Sequence, residues 1–188
     1  MSISKEEFLQ KYDMCEILKE ADFFIDLKYA TKDNFLSRKL YKNTFCIIRR
    51  GTYNKLLKAR DIFKTYGYYL KIWDAYRPIK VQQDMFNTMQ DERYVTNPKR
   101  GTSNHCKGKA VDVTLCDKDG NNIKMPTEFD HFGIESSREY YNNLDNKAKD
   151  NVTLLEEVMT KAGFIPFKTE WWHFDDIDDY DTIYEEYE

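Results

Sequence analysis

The stretch Ser103-Asn104-His105-Cys106-Lys107-Gly108-Lys109-Ala110-Val111-Asp112-Val113-Thr114-Leu115 begins as a turn-rich loop. It runs into an apolar strand that carries one charge, Asp112, seven residues after His105. A carboxylate inside such a strand is costly to bury unless it is paired or bound to a metal. A second stretch, Glu170-Trp171-Trp172-His173, adds another imidazole and another carboxylate. Together they supply the donor set of a hydrolytic zinc site, in which three protein ligands leave a fourth position for a water whose pKa falls to ~7. A nearby unligated Glu can then move protons. His105, Asp112 and His173 are therefore candidate ligands for one Zn2+ per chain, with Glu170 as the proton shuttle. The plainer alternative makes His105 a loop residue and Asp112 a turn or cap residue.

Spacing imposes a structural demand on the second stretch. Glu170 and His173 are three apart, so a regular strand would point them to opposite faces. The chain must bulge there, or begin its strand only near Trp171, for both to reach one centre. Trp171 and Trp172 read as core residues. The third histidine, in Phe129-Asp130-His131-Phe132, has no second ligand nearby beyond Asp130 and reads as structural.

In Trp73-Asp74-Ala75-Tyr76-Arg77-Pro78 a strand ends, the chain turns and a helix opens at the proline. Arg77 is thereby presented at a sheet edge, where an always-charged guanidinium suits an oxyanion or a carboxylate and Asp74 can hold it. A surface Arg-Asp pair is the alternative.

With 188 residues, the chain suffices for one domain with a sizeable core. A mean hydropathy of -0.78 and the lack of a long apolar run exclude a membrane-spanning protein. A net charge of -4 makes nucleic acid an unsuitable partner. The segment Met1 to Asp22 lacks the basic and apolar regions of a secretory signal, so a cytoplasmic location is expected. Cys15, Cys46, Cys106 and Cys116 show no paired spacing and read as reduced thiols. Eight carboxylates and no Lys or Arg lie between Asp175 and Glu188, so this stretch carries -8 and the preceding 174 residues carry +4. It reads as a solvated acidic extension, 175–188, after a single domain, 1–174. Ile177, Tyr180, Ile183, Tyr184 and Tyr187 leave open a docked strand or short helix.

Ser4 and Glu7 form a capping-box pattern ahead of Phe8, predicting an N-terminal helix. Helices are also predicted for Tyr53 to Tyr66, from Pro78 onward, and for Asn151 to Ala162, with Gly67 and Gly163 as stops. Strands fit Tyr69 to Asp74, Ala110 to Leu115, Phe164 to Phe167 and Trp171 to Phe174. The segment Cys116 to Asn146 reads as a long excursion that could wall a site. Helices interleaved with short, clustered strands indicate an α+β fold, with a central antiparallel sheet flanked by helices.

These residues carry a resemblance to the zinc D-alanyl-D-alanine dipeptidases of the VanX type, within the zinc D,D-peptidase group that shares its fold with the Hedgehog signalling domain. Matching stretches run through Asp26 to Phe35, Trp73 to Pro78, Tyr94 to Leu115, Met125 to Phe132 and Asn151 to Phe174. The Ser-x-His-x6-Asp and Glu-x-x-His pair is shared across the group. The Tyr29-Ala30-Thr31-Lys32-Asp33-Asn34-Phe35 segment and Phe129-Asp130 are narrower and resemble the dipeptidases. The resemblance implies that His105, Asp112 and His173 bind zinc and that Glu170 is the general base. It implies that Arg77, oriented by Asp74, shares the oxyanion charge. Asp130 and Tyr29 would meet the amino group of a D-Ala-D-Ala substrate, and Ser103 and Tyr41 its carboxylate. Cys106 stands where the family commonly has a small hydroxyl residue. The function so implied is hydrolysis of D-Ala-D-Ala, either depleting a cell-wall precursor or recycling it. Two other readings stand beside it. A carboxypeptidase trimming muropeptides would call for an open groove and an exported chain. A non-catalytic zinc-containing binding module would need neither Glu170 nor Arg77.

Overall fold

The computed structural model describes residues 3–91, 95–98 and 101–187; Tyr94, where one matching stretch begins, lies outside the described residues. The first helix, α1 (Lys5–Lys11), is closed at its start by the Ser4/Glu7 capping box, with Phe8 fully buried. The chain reverses at Asp13, whose φ is 47°, so Ile17 lies beyond the helix. Two short strands, β1 (Met14–Glu16) and β2 (Phe24–Ile25), follow. Then β3 (Ile47–Arg49) leads directly into α2 (Arg50–Thr65), which buries Leu56, Ala59 and Phe63. Gly67, at φ 77°, takes the left-handed turn that delivers β4 (Tyr69–Asp74). Pro78 sits at the N-cap of α3 (Ile79–Met89). The next strand, β5 (Ala110–Cys116), is buried along its whole length.

The excursion returns through two 3-10 turns, Ile134–Ser136 and Arg138–Asn143, to α4 (Asn146–Ala162). Asp145 caps α4 by accepting from the Ala148 N–H at 3.2 Å. This start lies earlier than periodicity predicts, because the first turn is polar and built on its cap rather than on apolar residues. Gly163, at φ 107°, ends α4 and opens β6 (Phe164–Pro166), followed by β7 (His173–Asp176).

β1 and β3 form a two-stranded antiparallel sheet. The main sheet has the order β2-β4-β5-β7-β6, antiparallel except for the parallel β2-β4 pair. The α+β architecture with a mainly antiparallel sheet is thus as expected. Helices α2 and α4 pack on each other and on the sheet, burying Val111, Val113 and Leu115 of β5 against Leu155 and Phe63 in one cluster. Alternation along β5 then sends Asp112 and Thr114 to the opposite face. Aromatic rings cover that face: Trp73 lies 5.1 Å from Phe129 and 5.7 Å from Trp171, and Phe129 lies 5.5 Å from Trp172. Both tryptophans of the Trp-Trp pair are core residues.

The C-terminal stretch departs from the solvated extension. β7 runs through the division expected at 174/175, and Asp176 is fully buried, accepting from Thr52 Oγ1 at 2.7 Å and pairing with Lys55. Beyond it the chain docks in extended form. Ile183 is buried with Phe8, Met14, Ile47 and Tyr76, its N–H donates to the Cys106 carbonyl at 3.0 Å, and Tyr187 bridges to Ile3. Charge repulsion is relieved because other carboxylates of the stretch pair with lysines of the body, Asp178 with Lys55, Asp179 with Lys107 and Glu185 with Lys11. Among the described residues no helix is long and apolar enough to cross a membrane.

Ile183→Ala should lower the unfolding free energy by ~2–5 kcal/mol, the range for truncating a buried Ile, measured by urea denaturation. A change near zero would show the tail to be solvated in solution.

Candidate metal centre and its cavity

Three elements converge on the outer face of β5. The first is the 3-10 turn Asn104–Lys107, which Ser103 caps by accepting from the His105 N–H at 3.3 Å. Gly108 closes that turn at φ 72°, a left-handed conformation in which a side chain would strain the loop that holds His105. The second is the end of β4. A register shift between Ile72 and Asp74 makes Trp73 the extra residue of a bulge and sets Asp74 opposite Asp112. The third is β7, whose first residue, His173, pairs with Asp112 across the sheet.

The spacing demand on Glu170 and His173 is met by a turn. Trp171 and Trp172 form it, the His173 N–H donates to the Glu170 carbonyl at 3.3 Å, and the strand starts at His173 rather than at Trp171. Side chains three apart therefore emerge on one side, with Glu170 Oε2 3.9 Å from His173 Nδ1.

His105, Asp112 and His173 each offer one ligand atom, all within 4.8 Å of one another. His105 Nε2 lies 3.3 Å from Asp112 Oδ2 and 3.2 Å from His173 Nδ1, and His173 Nδ1 lies 3.0 Å from Asp112 Oδ1. The far nitrogens of both rings are engaged elsewhere. His105 Nδ1 meets the Ala75 carbonyl at 2.6 Å, and His173 Nε2 meets Asp175 Oδ1 at 3.0 Å. An N–H donated outward leaves the inward nitrogen with its lone pair, the tautomer a metal ligand needs. Electrostatics agree with a cation here. Burial pushes the Asp112 pKa up, yet His105 and His173 outweigh it and hold the carboxyl well below its usual range. Burial opposes charge on His173, but its bonds to Asp112 and Asp175 raise it to about 10. Both shifts show surroundings that favour positive charge beside the buried carboxylate, a charge that a divalent cation among the same atoms would supply. Two imidazoles and a carboxylate fit zinc.

A cavity of about 170 Å3 opens over these donors, lined by Tyr29, Arg77, Ser103, Asp130 and Glu170 among others. Arg77 is buried. Its Nε and Nη2 donate to Asp74 Oδ2 at 3.0 and 2.7 Å, its Nη1 to Gln82 Oε1 at 2.8 Å, and Nη2 stands 3.8 Å from Asp112 Oδ2. It is thus an interior group aimed at the donors and not half of a surface pair. Tyr29 donates to Asp130 Oδ1 at 3.0 Å, or to Oδ2 at 3.1 Å. Burial raises the Asp130 carboxyl to about 8, although the Tyr29 bond opposes it. Burial likewise lifts Glu170 to about 7, against the pull of the charges on His173, His105 and Arg77.

One expected substrate contact falls elsewhere. Tyr41 is buried behind Asp74, donating its hydroxyl to Asp74 Oδ1, and lines a separate hollow with Tyr76, Val81 and Tyr187. It completes the support of Arg77 and does not reach the cavity. His131 is a surface residue beside Glu135, and Cys106 is buried without joining the donor cluster.

Asp175 and Gln82 escape a reading by motif. Asp175 had a signal, because residues two apart on a strand share a face, and it was obscured by the acidic run that follows. Gln82, whose Nε2 donates to the Thr96 carbonyl at 3.0 Å, carries none. Tyr41→Phe should leave a buried carboxylate oxygen without its donor and lower stability by ~1–3 kcal/mol in urea denaturation; unchanged stability would contradict the support role.

The chain matches the family model described as D-Ala-D-Ala dipeptidase, peptidase M15, over residues 9–188. It is 36% identical over 154 residues to a D-alanyl-D-alanine dipeptidase of Escherichia coli (strain K12), covering 82% of this chain and 79% of that one. It is 32% identical over 172 residues to a D-alanyl-D-alanine dipeptidase of Enterococcus faecium, covering 79% and 83%. Among solved structures, the LdcB LD-carboxypeptidase shares the fold with a TM-score of 0.51 at 17% identity, over 88% of this chain and 68% of that chain. With nearly the whole chain matched and the donor cluster inside the matched span, this protein belongs to the peptidase M15 family of D-Ala-D-Ala dipeptidases.

Proposed function

We propose that the chain is a zinc-dependent dipeptidase that hydrolyses D-Ala-D-Ala to two molecules of D-alanine. The observation that carries this is the convergence of His105, Asp112 and His173 within 4.8 Å on the floor of a small cavity that also holds Glu170 and Arg77. His105, Asp112 and His173 would hold the zinc, which would supply a Lewis acid and make water a better nucleophile.

The remaining chemistry belongs to side chains of this chain. Glu170 takes a proton from the attacking water as its oxygen bonds to the carbonyl carbon, then gives it to the amine nitrogen as the peptide bond breaks. A carboxyl lifted by burial to about 7 suits both transfers. Arg77 meets the negative charge that develops on the carbonyl oxygen, held against rotation by Asp74 and Gln82. Asp175 fixes the ring of His173 from its far side. Asp130, steadied by Tyr29, receives the substrate's ammonium group, and Ser103 receives its carboxylate.

Size supports a dipeptide. About 170 Å3 is small beside the ~300–1,000 Å3 of sites for drug-sized ligands, and the Asp130 carboxyl in its lining suits a free ammonium group better than an acylated one. A non-catalytic zinc module would have no use for a half-buried Glu170 and a buried Arg77 turned toward the donors. A cytoplasmic location belongs to the same reading, supported by four unpaired thiols. The product serves either removal of a cell-wall precursor or its recycling.

Purified protein should release D-alanine from D-Ala-D-Ala, lose the activity to a chelator and regain it with zinc, while leaving an N-acylated dipeptide intact. Glu170→Ala should keep one zinc per chain and lose ~10²–10⁴-fold in rate. No release from zinc-loaded wild-type protein would overturn the assignment.

A further inference from the structure

Arg138 lies in the excursion, in the turn Arg138–Asn143, some thirty residues before Glu170 and His173, yet its guanidinium is spent on the turn that carries them. Its Nε donates to the Phe167 carbonyl at 2.7 Å. Its Nη2 faces the carbonyls of Glu170, Trp171 and His173 at 3.3, 3.3 and 3.2 Å. Its Nη1 bonds Tyr141 Oη and Glu156 Oε2, both at 2.7 Å, so the group is anchored to α4. The Phe174 ring lies 4.9 Å away, and the side chain is 12% exposed. The main chain adds a parallel link, from the Arg138 N–H to the Lys168 carbonyl at 3.1 Å.

From this geometry we propose that Arg138 is a positioning residue for the hydrolysis, setting the reach of Glu170 toward the metal site; the inference rests on the function proposed above. The physical argument has two parts. Between Phe167 and His173 the Trp172 carbonyl is met by the Val113 N–H of β5 at 3.0 Å and the Glu170 carbonyl by the His173 N–H at 3.3 Å, which leaves the Trp171 carbonyl outside the ladder and the Glu170 carbonyl room for a second donor. One planar, always-charged fork reaches both, together with the Phe167 and His173 carbonyls at the ends of the turn, and Lys, a point charge, cannot. The two functional side chains also depend on it unequally. His173 is additionally held by its pairing with Asp112 in the sheet and by Asp175. Glu170 has no strand beneath it and relies on the turn. Loss of the fork should therefore displace the base while sparing the ligand, and a displacement near 1 Å can cost ~10²-fold in rate. Arg138 touches neither substrate nor metal, so it acts only through the turn.

The test compares Arg138→Ala and Arg138→Lys with wild-type protein, all zinc-loaded, for zinc content, kcat and KM on D-Ala-D-Ala. The expected result is one zinc per chain, a KM within about threefold and a kcat reduced by ~10- to 100-fold in both variants, with millimolar guanidinium ion restoring part of the alanine variant's kcat. A guanidinium-rescued kcat is a readout that a general loss of fold would not give. Should Arg138→Ala fail to fold, Arg138→Lys still decides, since it keeps the charge beside Glu156 and loses the fork. An unchanged kcat in a folded, zinc-loaded variant would overturn the proposal, as would a loss confined to KM. Wild-type protein that releases no D-alanine would instead overturn the function on which it rests.

Discussion

A carboxylate buried in the middle of the central strand governs the rest of this structure. Asp112 is 3% exposed on a strand with no exposed residue, a position that is untenable for an unpaired charge. Its surroundings are arranged to answer that charge. His105 arrives on a capped 3-10 turn, His173 through the pairing of β7 with β5, and Arg77 through the bulge that ends β4. The 3-10 turn and the bulge depart from regular secondary structure where they deliver their side chains, whereas His173 opens a regular strand. The two imidazoles reverse the sign of the shift that burial alone would impose on Asp112.

The carboxyl groups around the cavity are sorted by environment. Asp112 is held low by two imidazoles, while Glu170 and Asp130 are raised by burial to about 7 and about 8. The group suited to a permanent cation is kept ionised, and the two whose partners must change during turnover sit where a proton can come and go. Asp74 plays a fourth role, engaged by Arg77 and Tyr41 together and so given to holding the guanidinium still.

Much of this was legible in the sequence because it was local. Strand β4 begins and ends where apolar alternation puts it, and α2 and α4 stop at glycines that take positive φ. The donor residues were visible as well, since an Asp within Ala110 to Leu115 has few structural uses. What stayed hidden was determined by distant partners. Strands β1, β2 and β3 are two or three residues long and exist only by pairing. The turn at Trp171 and Trp172 is bonded by Arg138 and by the Ser136 carbonyl, both more than thirty residues earlier. The C-terminal stretch looked like a solvated acidic run because charge density masks the few apolar positions, Ile183 above all, that dock it. Tyr41 was misplaced for the same reason: its hydroxyl is directed by Asp74, and no spacing reveals that bond.

X-ray absorption spectroscopy of the zinc-loaded protein tests most directly whether His105, Asp112 and His173 form the metal centre. The account predicts two imidazole nitrogens at ~2.0–2.1 Å and carboxylate or water oxygen at ~2.0–2.2 Å, with both imidazoles lost from the spectrum when His105 and His173 are replaced. A sulfur shell at ~2.3 Å would bring Cys106 into the coordination sphere and contradict it.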